Sequence, residues 1–192
     1  MSAAASATHW GKEIATETIG GIPFRMYTER PRRVERLLDF AGRWGTKPHV
    51  IQGERVLTFE ELHRAVLSKA RQLDALEVGR GDRVLILGWN SAEWVVNFWA
   101  CLQAGAVPVL ANAWWSEKEL RDGVALLAPS LALADARSAA RLPAGLRQGP
   151  WEIATATATT ADQAAVDGVG GDEEDTALVI FTSGTSGQPK AV

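Results

Sequence analysis

The chain contains one cysteine, Cys101. An internal disulfide is therefore impossible, and a small scaffold stapled by bridges is excluded. Cys101 lies in the apolar stretch Trp94-Val95-Val96-Asn97-Phe98-Trp99-Ala100-Cys101-Leu102, where a buried, inert thiol is the expectation. No run approaches the ~20 apolar residues of a membrane-spanning helix. The first residues, Met1-Ser2-Ala3-Ala4-Ala5-Ser6-Ala7-Thr8-His9, have neither the positive charge nor the apolar core of a secretory leader, so a cytoplasmic location is expected. An excess of positive charge is also missing. With 20 Lys and Arg against 23 Asp and Glu, the net charge is -3, which gives no basic footprint for a run of phosphates and argues against a nucleic-acid partner.

What remains is a 192-residue chain, 46% hydrophobic, long and apolar enough to bury a sizeable core. Residues 1–46 read as a lead-in, with an extended piece near Ile22-Pro23-Phe24-Arg25-Met26-Tyr27 and a helix starting near Pro31, where proline is tolerated in a first turn. Arg30, Arg32, Arg33 and Arg36 cluster there among Glu29, Glu35 and Asp39, a mixture that reads as a solvated helix face. From residue 47 onward α and β patterns alternate. Val50-Ile51 and Val56-Leu57 flank a tight turn. Thr58 with Glu61 forms a capping box ahead of Leu62, Ala65, Val66, Leu73 and Leu76, which line one helical face.

Arg83-Val84-Leu85-Ile86-Leu87 is a run of strand length, apolar enough to be buried on both faces. Asn90 and Ser91 offer a cap for a helix through Trp94, Val95, Phe98, Trp99 and Leu102, which Gly105 closes in the left-handed conformation. Ala106-Val107-Pro108-Val109-Leu110-Ala111 resumes as strand, giving a βαβ unit. Ser116 and Glu119 form a second capping box before another helix and the strand Leu131-Ala132-Leu133-Ala134. The class is α/β, an incomplete parallel-sheet domain with flanking helices. No solenoid-type repeat is visible.

Residues 154–175 are rich in Ala, Thr, Gly and acids and read as a surface loop. Ala177-Leu178-Val179-Ile180-Phe181 then reads as another buried strand, with one side left as an open edge of the incomplete sheet, leading into Thr182-Ser183-Gly184-Thr185-Ser186-Gly187-Gln188-Pro189-Lys190. Trp114-Trp115, in the loop between Asn112 and Ser116, follows no periodicity. Core packing is the plainer account of the pair.

The segment after that strand has the chemistry of a phosphate cradle. Two glycines let backbone N–H groups approach an anion, hydroxyls add donors and Lys190 adds charge. A flexible Ser/Gly turn would have a similar composition, and composition alone leaves the two readings even. A Walker A loop, and with it a small P-loop NTPase, is disfavoured by spacing: Gln188-Pro189 separates Gly187 from Lys190, and Ala191 stands where a magnesium-binding hydroxyl would be needed. The three-glycine dinucleotide fingerprint is absent too.

The stretch Ile180-Phe181-Thr182-Ser183-Gly184-Thr185-Ser186-Gly187-Gln188-Pro189-Lys190-Ala191-Val192 resembles the signature loop of the AMP-forming acyl-CoA synthetase, adenylation-domain and luciferase superfamily. Leu57-Thr58-Phe59-Glu60-Glu61-Leu62 and the stretch from Leu102 to Asn112 resemble two further segments of that family in the same order, so the likeness covers about residues 30–192. Ala191 departs from the family pattern, which usually has Gly there.

The resemblance implies that residues 47–192 are part of an adenylation domain ending at its phosphate loop. It implies a two-step reaction in which a carboxylate attacks the α-phosphate of Mg-ATP, and a thiol, usually of coenzyme A, then takes the acyl group. ATP, Mg2+ and coenzyme A are the implied cofactors. Thr182, Ser183, Gly184, Thr185, Ser186, Gly187 and Lys190 are the implied binders of the β- and γ-phosphates. No catalytic residue of the family falls within these 192 residues, and a carboxy-terminal portion with the adenine site, hinge and catalytic lysine is expected to complete the enzyme. Asn112-Ala113-Trp114-Trp115-Ser116-Glu117 is similar to the equivalent stretch of fatty acyl-CoA synthetases, which makes a fatty acid the expected substrate. A natural truncated protein that binds a partner or a nucleotide without catalysis is the alternative.

Overall fold

The computed structural model describes residues 13–153, 172–183 and 189–192. The chain divides into two compact units, Met1–Arg32 and Arg33–Val192. In the first, strand β1 (Ile14–Ile19) pairs antiparallel with β2 (Ile22–Tyr27). The turn is Gly20-Gly21, at φ 55° and 82°, which matches the twist of a two-residue hairpin and is costly for residues with a Cβ. Of this pair the sequence suggested only β2. Arg30 donates two hydrogen bonds to the Glu17 carboxylate, at 2.8 and 2.6 Å, and this contact holds Glu17 below the usual carboxylate range.

The second unit opens with a 3₁₀ helix, Val34–Trp44. It starts three residues after Pro31 and is more tightly wound than the α-helix expected there. The arginines at its start are paired, Arg33 with Glu35 at 2.8 Å and Arg36 with Asp39 at 3.2 Å. Strands β3 (Pro48–Gln52) and β4 (Arg55–Thr58) form the expected hairpin. Helix α1 (Phe59–Ala75) follows, and its capping box is complete: Thr58 Oγ1 accepts from the Glu61 N–H at 3.2 Å, and the Glu61 carboxylate accepts from the Thr58 N–H at 2.9 Å. Two of the four orphan donors of the helix start are thereby satisfied.

Strand β5 (Arg83–Leu87), helix α2 (Ala92–Gln103), strand β6 (Val107–Leu110), helix α3 (Glu117–Leu127) and strand β7 (Leu131–Ala134) come next. Helix α4 (Ala136–Ala139) and the two-residue strand β8 (Gln148–Gly149) complete the series. Ser91 caps α2. Gly105 closes it at φ 71°, with the Gly105 N–H on Leu102 O and the Ala106 N–H on Cys101 O, the paired bonds of a Schellman ending. The sheet is parallel throughout in the order β6-β5-β7-β8. The connections β5-to-β6 and β6-to-β7 run in opposite directions along it, and right-handed crossovers then require helices on opposite faces.

The core shows that arrangement. Val84, Ile86, Leu131 and Leu133 pack with Leu62, Val66, Leu73, Val96 and Ala100 of α1 and α2. Leu85, Leu87, Val109 and Ala132 point to the other face and pack with Leu120 of α3 and with Trp115. Alternate residues of one strand thus serve two cores.

Residues 177–181 depart from the buried strand expected of them. Only Val179 joins the sheet, through a parallel bridge to Val109 at the free side of β6, and Ile180 is 42% exposed. β6 is short and its far side carries no further strand among the described residues, so the chain leaves the sheet after one bridge. It forms its own antiparallel pair, β9 (Phe181–Ser183) with β10 (Pro189–Ala191). Of the acidic loop, residues 154–171 lie outside those described.

Candidate phosphate-binding site

Because Val179 runs parallel to β6, the β9-β10 hairpin lies toward the carboxyl ends of the strands, the edge at which open parallel sheets bind ligands. Two backbone bonds fix its direction, from Val179 N–H to Pro108 O and from Leu110 N–H to Val179 O, each 2.9 Å. Ile180 and Val192 close its base by exchanging both of their N–H bonds. Cross-strand pairing then sets Thr182 opposite Lys190. Both side chains are exposed, and the Thr182 hydroxyl makes only a long 3.5 Å contact with Lys190 O. Lys190 makes no ion pair among the described residues.

An exposed hydroxyl and an exposed ammonium on paired residues suit the oxygens of a phosphate. Ser183 is brought into the same strand. Gly184, Thr185, Ser186 and Gly187, the other residues expected in the cradle, lie outside those described. No cluster of three or more His, Cys, Asp or Glu occurs among the described residues.

The neighbourhood of the hairpin contains residues that sequence periodicity did not single out. The Trp114-Trp115 pair is split. Trp115 is buried, and its ring meets that of Phe181 edge-on at 4.5 Å and 82°. Trp114, expected in the core, is 77% exposed and meets Trp89 edge-on at 4.7 Å. The Arg137 guanidinium lies 5.3 Å from the Trp89 ring, within cation–π range. Arg141 reaches back from beyond β7 to donate to Trp115 O and Ala113 O, both at 2.8 Å. The Asp135 carboxylate accepts from the Trp89 N–H at 2.9 Å and the Ser138 N–H at 2.7 Å. Burial pushes this group upward, but those N–H bonds outweigh it and hold the carboxyl below its usual range. The available signal was polar residues directly after the apolar run of β7, at the ligand edge of a parallel sheet.

A second cleft, of about 560 Å³, lies at the amino ends of β5 and β6, between Arg83, Val107 and Val179. Arg80 and Asp175 line it and pair at 2.8 and 3.1 Å. It is at the opposite end of the strands from the hairpin.

Residues 37–192 match the AMP-binding enzyme family. The chain belongs to that family. Among curated relatives of this AMP-binding enzyme chain is the 3-hydroxybenzoate–CoA ligase of Aromatoleum sp. (strain CIB), 30% identical over 159 residues, 76% of this chain and 30% of the relative. Another is a medium/long-chain-fatty-acid–[acyl-carrier-protein] ligase of Mycobacterium tuberculosis, 29% identical over 190 residues, 91% of this chain and 35% of the relative. The chain thus spans about a third of the length of these proteins. The fold is that of the Klebsiella oxytoca NpsA N-terminal subdomain, solved in complex with 3-hydroxybenzoyl-AMSN. The TM-score is 0.69 at 21% identity, over 84% of this chain and 40% of that one. No helix among the described residues is long and apolar enough to cross a membrane.

Proposed function

We propose that this chain is the amino-terminal, phosphate-binding part of an ATP-dependent, AMP-forming acid–thiol ligase. The observation that carries the reading is the cross-strand pairing of exposed Thr182 and Lys190 at the carboxyl edge of the parallel sheet. In the reaction a carboxylate oxygen attacks the α-phosphate of ATP, forming acyl-AMP and releasing pyrophosphate. A thiol, that of coenzyme A, then attacks the acyl carbon, forming the thioester and releasing AMP. Thr182, Ser183, Gly184, Thr185, Ser186, Gly187 and Lys190 hold the β- and γ-phosphates. Their donors meet the charge that develops on the departing pyrophosphate, so their contribution is positioning and electrostatic. Mg2+, bound with the phosphates, supplies further neutralisation of that charge.

A fatty acid is the substrate we favour, on the resemblance of Asn112-Ala113-Trp114-Trp115-Ser116-Glu117. The relatives' names divide between an aromatic and a fatty acid, so a panel of both kinds assayed by pyrophosphate release decides between them. The cytoplasm is the compartment we assign. Because the chain corresponds to about a third of its relatives, we expect no turnover from these 192 residues alone.

In the complete ligase, Lys190→Ala should slow ATP–pyrophosphate exchange by roughly 100-fold, the scale on which removing one charge-stabilising donor acts. An unchanged exchange rate would remove Lys190 from the phosphate site.

A further inference from the structure

We infer that Trp115 is a positioning residue for the phosphate hairpin, which it anchors through Phe181 from a seat provided by Gly123 and Arg141. This rests on the phosphate-binding reading of the hairpin. Phe181 immediately precedes Thr182 and pairs with Ala191 across the hairpin, next to the Lys190 pair. Its ring is held edge-on against Trp115, so a displacement of the tryptophan is passed to β9, which carries Thr182 and pairs with the Lys190 strand. Among the described residues Val179 is the hairpin's single bridge to the sheet, and Phe181 is its side-chain anchor in the cluster that holds Trp115 and Leu120.

Trp115 itself is fixed on two sides. Arg141 ties the backbone of its loop at two carbonyls. On helix α3, a Cβ at Gly123 would lie 3.2 Å from Trp115 Cζ3, 3.4 Å from Cη2 and 3.7 Å from Phe181 Cζ. The missing side chain therefore lets the indole pack directly on the helix, and a larger residue there would crowd the ring at its contact with Phe181. Periodicity gives no reason for a glycine in the middle of a helix, where it costs stability relative to alanine. Contact with Trp115 supplies one.

The test has a structural arm and a kinetic arm. Hydrogen exchange of the 192-residue chain is followed by mass spectrometry in residues 178–192 and, as an internal reference, in α1. Trp115→Ala should accelerate exchange in the hairpin by about tenfold or more while α1 is unchanged, and Trp115→Phe should restore most of the protection. In the complete ligase, Trp115→Ala should raise the KM for ATP by about tenfold and leave the KM for the acid within about twofold.

Gly123→Ala is the second variant, because it favours the helix and so keeps the fold while displacing the ring. It should raise the KM for ATP several-fold with a change in stability of no more than about 1 kcal/mol, the helix gain of alanine offsetting the crowding of the ring. The inference is overturned if the unaltered hairpin exchanges at the unprotected rate, if Trp115→Ala leaves the hairpin and the KM for ATP unchanged, or if it loosens α1 and raises both KM values alike. Lys190→Ala separates the two ideas. If it leaves adenylation intact while Trp115→Ala still frees the hairpin, the phosphate-binding reading falls and not the anchor.

Discussion

Lys69 is the largest fully buried side chain among the described residues, 2% exposed, on the core side of α1. Its ammonium donates to Pro150 O at 2.6 Å and to Glu152 O at 2.9 Å, and Asn97 donates to the intervening Trp151 O at 2.9 Å. The ring of Trp151 lies so close to Gly88, at the end of β5, that a Cβ there would meet its Cη2 at 2.5 Å. Lys69 thus fixes a segment that no regular element holds. Burial pushes its pKa down to about 8, only partly offset by Glu152, Cys101 and Glu93. Burial also pushes the Cys101 thiol up to about 12, with the Lys69 charge pulling weakly the other way.

The two groups act on stability with opposite signs. Between the folded pKa of Lys69 and its ordinary 10.5, the unfolded chain holds more protons, so stability rises with pH. Between the ordinary 9.0 of a thiol and the folded value of Cys101, the folded chain holds more, so stability falls. From about pH 8 to pH 9 only the lysine contributes. The denaturation midpoint should rise across that interval, stay flat in Lys69→Met, and continue to rise beyond it in Cys101→Ala. Lys69→Met should also cost about 1–3 kcal/mol below pH 8, since two buried carbonyls lose their donor. A midpoint that falls from pH 8 to pH 9 in the unaltered protein would contradict the assignment to Lys69.

At the scale of elements, what was legible was local. Both capping boxes, Thr58 with Glu61 and Ser116 with Glu119, span three residues, and both form. Thr58→Ala should destabilise by about 1 kcal/mol. Combined with Glu61→Ala the loss should be less than the sum of the single changes, because each partner satisfies an N–H for the other. Strict additivity in urea melts would show that the box does not form in solution. The strands β5, β6 and β7 were equally legible, as short apolar runs between turn signals.

β1 escaped although its Gly20-Gly21 turn is local; other elements that escaped are specified from a distance. β8 exists because Gly149 lets Leu131 and Leu133 approach, with methyl groups 3.0 and 2.9 Å from where its Cβ would be. Nothing in Gln148-Gly149 alone announces a strand. The end of the last apolar run after Val179 depends on where β6 stops. At the site, the order Thr182 to Lys190 was readable as a motif, whereas the pairing of Thr182 with Lys190 across a hairpin was not. The different fates of Trp114 and Trp115 were not readable, because they are set by Gly123, Phe181 and an Arg141 bonded 26 and 28 residues back along the chain.

At the scale of the molecule, the two units differ in how much core they own. Residues 33–192 hold both faces of the four-stranded sheet and the helices that cover them. Met1–Arg32 holds a two-stranded hairpin in which Ile14, Ile22, Phe24 and Tyr27 are 52%, 59%, 44% and 42% exposed. A lone hairpin is marginal in water, and this one leaves much of its own apolar surface exposed. Deleting residues 1–32 should therefore leave a cooperative transition with a midpoint stability within about 1 kcal/mol of the whole chain and a denaturant slope reduced only slightly, since the slope follows the surface exposed on unfolding. If the deletion instead abolished the transition or lowered the slope steeply, the hairpin would have to be part of the same folding unit as the sheet. The boundary between Arg32 and Arg33 would then mark a change of architecture without a change of cooperativity.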